Sequence, residues 1–131
     1  MNRSRSLAGV ALWMTAMTSL LLGDGTFTVA DPGKVYYGDP EEFTNPAILT
    51  AATVFAKIRE WREIQERGLT SQDPEYWILL EKANRKFRRA VHRAAQAAGH
   101  DLVAEVGAVL REDGQGLPDV TEAVVAALSN D

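Results

Sequence analysis

Gly99-His100-Asp101-Leu102-Val103-Ala104-Glu105-Val106-Gly107-Ala108-Val109-Leu110 is the stretch that decides the fold. Two short β-prone apolar runs stand on either side of Gly107, a pattern that predicts two strands meeting in a tight hairpin. A long helical pattern precedes Gly99, and a loop and a short helical pattern follow Leu110. With a strand candidate at Ala47–Ala52, the order is strand, helical hairpin, β-hairpin, helix. That order predicts an α+β fold, with a small β-sheet body, a projecting antiparallel α-helical hairpin and a C-terminal helix.

Upstream, Asp73-Pro74-Glu75 offers an acceptor at the N-cap, proline at the first helical position and an acid in the first turn. The helix it opens runs to Ala98 and stops at Gly99. Along it Tyr76, Leu80, Ala83, Phe87, Ala90, Ala94 and Ala97 alternate steps of four and three, the seam of a helix that packs on another helix. Val54, Ile58, Trp61 and Ile64 keep similar spacing before Gly68, and the loop Gly68–Gln72 closes a hairpin spanning about Thr53–Ala98. At ~1.5 Å per residue the second helix measures roughly 37 Å and overshoots the first. Its Ala-rich end, Ala90–Ala98, is expected to pack on a sheet or a neighbouring subunit. Ala47–Ala52 fits either a buried strand or a helix start; as a strand it would pair with Leu102–Leu110. Beyond the loop Asp113–Pro118, Asp119-Val120-Thr121-Glu122 has the D-x-x-E form of a capping box, and Val120, Val124, Val125 and Leu128 give the last helix an apolar face.

The N-terminus has a different character. Arg3 and Arg5 precede seventeen uncharged residues, Leu7–Gly23, too few for the ~20 of a spanning helix but suited to a secretory leader. Thr28-Val29-Ala30 ends in a small residue before the turn-forming Asp31-Pro32-Gly33, so residues 1–30 are expected to be a signal peptide cut before Asp31. An uncleaved N-terminal anchor is the alternative, and both place the remainder outside the cytoplasm. Residues 31–46 hold three prolines, two glycines, Tyr36, Tyr37 and Phe43 without helical or strand periodicity, and predict an extended arm. Residues 47–131 form the remaining domain.

The 131 residues carry a net charge of -4 and no cysteine. A disulfide framework, a thiol nucleophile and a thiolate metal site are therefore excluded. Lys57–Arg93 holds ten basic residues against six acidic ones, between acidic flanks. Such a charge pattern concerns partners and solubility and not fold. Ser71 and Ser129 have no histidine nearby in sequence, and His92 and His100 straddle a helix end without metal-ligand spacing. Gly114-Gln115-Gly116 leads to Pro118 and not to a helix, so it is no phosphate loop. Glu41-Glu42 and Glu112-Asp113 read as solvated loop carboxylates. No catalytic, metal or cofactor site is expected, and the chain reads as a non-enzyme. Arg85-Lys86-x-Arg88-Arg89 is a dense basic cluster, yet in an acidic exported protein nucleic acid is not the expected partner. An anionic membrane surface or an acidic client segment is the better counter-charge.

Gly99–Leu110 followed by Pro118–Leu128 resembles the C-terminal signature of the Skp/OmpH family of periplasmic chaperones, in which a helix ends in a "GYDLV" strand, a "GAVL" strand follows and a "DITDEV" helix closes the domain. Ala47–Phe55 with Ile58 is similar to the family's first strand running into its first arm helix. The resemblance implies a homotrimer with α-helical arms around a client cavity, acting as an ATP-independent holdase for unfolded outer-membrane proteins in the periplasm of a Gram-negative-type bacterium. Two departures stand out: the hairpin is short, and residues 31–46 have no counterpart in the family pattern. Client contacts are expected from Ile58, Trp61, Ile64, Tyr76, Trp77 and Leu79 around the hairpin tip, with charge steering by Arg85, Lys86, Arg88 and Arg89. Trp61, Tyr76 and Leu80 fit helix-to-helix packing better, whereas Trp77 and Leu79 lie off the seam. The alternative is a non-enzymatic envelope module that binds a folded partner or the membrane surface, through Tyr36-Tyr37.

Overall fold

The structure is a computed structural model that describes residues 27–129. Leu102, Val103 and Ala104, the middle of the deciding stretch, are fully buried in β4 (Leu102–Glu105). A continuous apolar run of this kind belongs to a strand covered on both faces. β4 is the centre of a three-stranded sheet, with β2 (Val35–Gly38) antiparallel on one edge and β3 (Pro46–Leu49) parallel on the other. β1 (Phe27–Val29) and β5 (Val109–Arg111) form a separate antiparallel ribbon. With α1 (Ala51–Phe55), α2 (Arg59–Arg67), α3 (Pro74–Ala98) and α4 (Thr121–Leu128), the architecture is α+β.

Alternation along β4 builds two cores. Val103 faces the helices and packs in a cluster with Val54, Phe87, Ala90, Val91 and Val124. Leu102 and Ala104 face the other way, towards Ala108, Val109, Phe27, Val29, Phe43 and Leu117. Successive strand side chains point to opposite faces, so one short segment serves both layers. Because β3 and β4 are parallel, the chain must cross over between them, and the helical segment 51–98 is that crossover.

Several sequence expectations hold. Ala47–Leu49 is a strand on β4, α3 ends at Gly99 with φ 78°, and the Ala-rich end of α3 packs on α4 and the sheet through Ala90, Ala94 and Ala95. A last helix does follow Asp119, but the capping box is not formed: Val120 is the N-cap with no side-chain cap bond, and Asp119 Oδ1 accepts instead from Thr121 N at 2.9 Å and Thr121 Oγ1 at 2.6 Å. Asp73, in contrast, turns its carboxylate to Thr70 N (2.9 Å) and does not cap α3.

Three expectations are corrected. β4 and β5 form no hairpin, because both edges of β4 are already taken; the chain turns at Gly107 (φ 89°), Val106 N donates to Leu49 O, and β5 leaves to join β1. The arm 31–46 is not simply extended: a 3₁₀ turn at Pro32–Lys34 leads into β2. Val35 pairs with Ala104 and Tyr37 with Val103, so Tyr36 is the extra residue of a β-bulge. The bulge sends both tyrosines to the helical core, where Tyr36 meets Phe87 edge-on at 5.1 Å and Tyr37 meets His92 at 5.3 Å; the missing alternation is its consequence. The first arm helix is broken at Ala56–Ile58, with Ile58 extended (φ -92°, ψ 125°): α1 packs between α4 and α3, where Phe55 stacks on Phe87 at 4.7 Å, while α2 runs along α3 alone of the two. Residues 27–30, expected to belong to the leader, pair with β5 and the turn before it, and residues 1–26 lie outside the described residues.

Side-chain bonds tie the strand ends together. Glu105 Oε1 accepts from Tyr36 OH (2.8 Å) and Ala51 N (3.0 Å), joining β2, β4 and α1. Burial, with the Glu105 carboxylate beside it, pushes the Tyr36 hydroxyl well above the ordinary tyrosine range. At the other end Asp101 accepts from Thr44 N (2.7 Å), Thr44 Oγ1 (3.2 Å) and Asn45 N (2.8 Å). Partial burial would raise its pKa, but these three donors outweigh it and hold the carboxyl below its usual value.

Two outcomes follow for the body. Gly38 has φ 94°, and an added Cβ would lie 2.1 Å from the Asp101 carbonyl oxygen. Gly38→Ala is expected to cost about 3 kcal/mol, lowering the thermal midpoint by more than about 10 °C in a calorimetric scan. For Asp101 the folded pKa is lowered, so its stabilisation is present above the unfolded value of ~4 and is lost as pH falls through the folded one. Asp101→Asn is expected to be less stable by about 1 kcal/mol at neutral pH, a figure discounted for exposure, with the gap closing below pH ~4 in urea titrations.

Candidate interaction surface

α3 has two unlike faces. Its inner seam, Ala83, Phe87, Ala90, Val91 and Ala94, is buried. On the outer face Trp77, Glu81, Arg85, Arg88 and His92 recur at steps of four and three, with Ile78, Lys82 and Arg89 on the adjoining row. At 3.6 residues per turn these positions form one stripe, apolar at the hairpin tip and cationic towards the body. Trp77 and Ile78 are each 55% exposed. Trp77 is nevertheless fixed, as its Nε1 donates to Ser71 O at 3.0 Å and its ring meets Tyr76 edge-on at 5.0 Å.

The tip itself is pinned by charge. Arg67 reaches Glu63 at 2.8 Å along α2 and Glu75 at 2.6 Å at the start of α3, and Gly68 takes the left-handed conformation (φ 62°) that ends α2. Arg67 holds the Glu75 carboxyl below its ordinary range. These groups are exposed, so they set geometry more than they add stability. Deeper in the hairpin, Lys86 Nζ lies 3.0 Å from Glu60 Oε1, and Glu60 is buried. Burial alone would raise the Glu60 pKa, but Lys86 outweighs it and lowers the pKa overall.

The expected client contacts therefore divide. Ile58 and Ile64 are core residues, 2% exposed each, and present nothing to a partner in this conformation. Trp61 is half-buried against Phe55, with ring centroids 5.7 Å apart, and Tyr76 and Leu80 are likewise half-buried. Leu79, expected to be exposed, is half-buried because it falls on the edge of the seam. Trp77 is on the surface as expected. Among the basic residues Arg85, Arg88 and Arg89 are exposed, Arg85 pairing with Glu81, whereas Lys86 turns inward to Glu60. Arg85, Arg88, Arg89, His92 and Arg93 together line a shallow depression on α3.

Ile78 was missed, although the criterion that selects Trp77, a large apolar side chain off the seam, selects it too. Val106 and Leu110, 52% and 50% exposed, form a second apolar patch on the body. They border a hollow lined by Ile48, Val109 and Leu117. Their exposure follows from the turn at Gly107, which no strand periodicity reveals. Tyr36 and Tyr37 are packed into the body and do not form an outward aromatic surface. His92 meets Tyr37 edge-on, and His100 Nδ1 lies 3.3 Å from Asn45 O. Among the described residues no group of three or more His, Asp or Glu gathers as a metal site would, and no helix is long and apolar enough to cross a membrane. Compared with family models, with curated proteins and with solved structures, the chain matches none of them.

Proposed function

We propose that this protein is an ATP-independent holdase of the periplasm that binds unfolded outer-membrane proteins along the outer face of α3. The observation that carries the proposal is the continuous stripe on that face, with Trp77 and Ile78 exposed at the tip and Arg85, Arg88 and Arg89 following. An unfolded chain offers apolar segments in no fixed geometry, and a convex helix edge can meet them without a shaped pocket. The cations increase the encounter rate with acidic segments.

From β3 onward the order strand, helices, two strands, helix is also that of the Skp/OmpH pattern the sequence resembles, and it supports a Skp-like body, with β1 and β2 added in front. In this proposal three copies associate through the body, where Val106 and Leu110 supply the exposed apolar surface. The hairpin is short, with nine residues in α2, so clients are held on the arms and not enclosed.

The test is the aggregation of a urea-unfolded outer-membrane β-barrel protein on dilution, followed by light scattering. The wild-type protein is expected to delay aggregation of several unrelated clients at near-stoichiometric ratios. Trp77→Ser with Ile78→Ser should lose more than about half of that protection while keeping the wild-type circular dichroism spectrum, because both side chains lie outside the core. Absence of protection, or full protection by the double variant, contradicts the proposal.

A further inference from the structure

We propose that export processing cuts the chain upstream of Phe27, at the Gly25–Thr26 bond, so that β1 belongs to the mature protein. The inference rests on the export proposed above and adds where the leader ends. β1 pairs along its whole length with β5, Phe27 with Arg111, Thr28 with Leu110 and Val29 with Val109. The pairing continues past the strand, since Ala30 N and Asp31 N donate to Ala108 O at 2.8 and 3.3 Å. Side chains reinforce it: the Phe27 ring lies 5.5 Å from that of Phe43 and 5.8 Å from the Arg111 guanidinium carbon, and Thr28 Oγ1 donates to Glu112 Oε2 at 3.1 Å.

Removal of residues 1–30 would strip β5 of the strand it pairs with among the described residues. It would also take Phe27 and Val29 off the cluster of Leu102, Ala104, Ala108 and Val109. What remained would be a lone strand with open backbone groups beside exposed Leu110, an invitation to aggregation. A leader has no reason to match the mature fold in register, ring contacts and core packing at once. A folded segment does, because its local choices agree with the global structure.

The sequence supplies a cut that spares β1. Gly23-Asp24-Gly25 begins with the last residue of the uncharged run and places small residues at both positions a leader peptidase reads, whereas Thr28-Val29-Ala30 places a β-branched threonine at the first of them. The reaction is hydrolysis of one amide: a water adds across the bond, the leader departs with a carboxylate on Gly25, and the mature chain gains an α-amine on Thr26.

The experiment is to express the full chain with its leader in a Gram-negative host, separate periplasm, membrane and cytosol, and determine intact mass and N-terminal sequence. A periplasmic product whose first residue is Thr26, or any residue up to Phe27, is expected. Gly25→Leu should accumulate precursor, and Ala30→Leu, a change at an exposed position, should be processed like the wild type. A periplasmic product beginning at Asp31, precursor accumulation with Ala30→Leu alone, or an uncut chain in the membrane overturns the proposal and leaves export standing. An uncut chain in the cytosol overturns the export reading and this inference with it.

Discussion

β4 has both of its edges and both of its faces occupied, and the rest of the molecule is arranged by that constraint. β2 and β3 hydrogen-bond to its two sides, Val103 enters the helical core, and Leu102 and Ala104 enter the opposite one. A parallel neighbour requires a long crossover, which is why the helical hairpin lies between β3 and β4 and is anchored at its two ends by adjacent strands. A filled pair of edges excludes β5, which can then pair only elsewhere. Burial of a single four-residue segment thus connects the hairpin, the body and the N-terminal strand.

α3 carries this arrangement outward. Its second half is held on the sheet and α4 by small side chains that permit close approach, while its first half runs along α2 and the loop between them. The Glu60–Lys86 pair and the Arg67 bridges fix how the two arms meet. A partly buried ion pair of this kind costs desolvation, so it serves alignment more than stability. The inner seam is consumed by packing, which leaves the outer stripe exposed. That division of one helix into a packed face and an exposed face joins the fold to the proposed holdase activity.

Much of this was legible in the residues, and what was not has physical causes. Pro74 and Gly99 bound α3 because one fits only a helix start and the other accepts a left-handed stop, signals that act locally. Asp119 marked the neighbourhood of the last helix start but not its cap, which is Val120. β2 was hidden because a bulge at Tyr36 cancels the two-residue period by which a strand is recognised. The break before Arg59 carries no glycine or proline, since it is imposed by tertiary packing, α1 having α4 as a second neighbour that α2 does not share. β1 was masked by its place beside a leader-like run, and the partner of β5 is a question of topology that two short strands cannot answer by themselves. For the surface, the seam arithmetic separated Trp77 from Tyr76 correctly. It left Ile58 and Ile64 as contacts only because the depth of a hairpin interface is not visible in spacing.

Native-state hydrogen exchange tests most directly whether β4 holds the molecule together. The amides of Val103 and Ala104 are expected to exchange slowest, in one cooperative unit with Phe87–Ala95 of α3, while the tip around Gly68–Gln72 exchanges early. Protection of α2 and α3 that outlasts that of β4 would make the hairpin an independent unit and contradict the central place given to the strand.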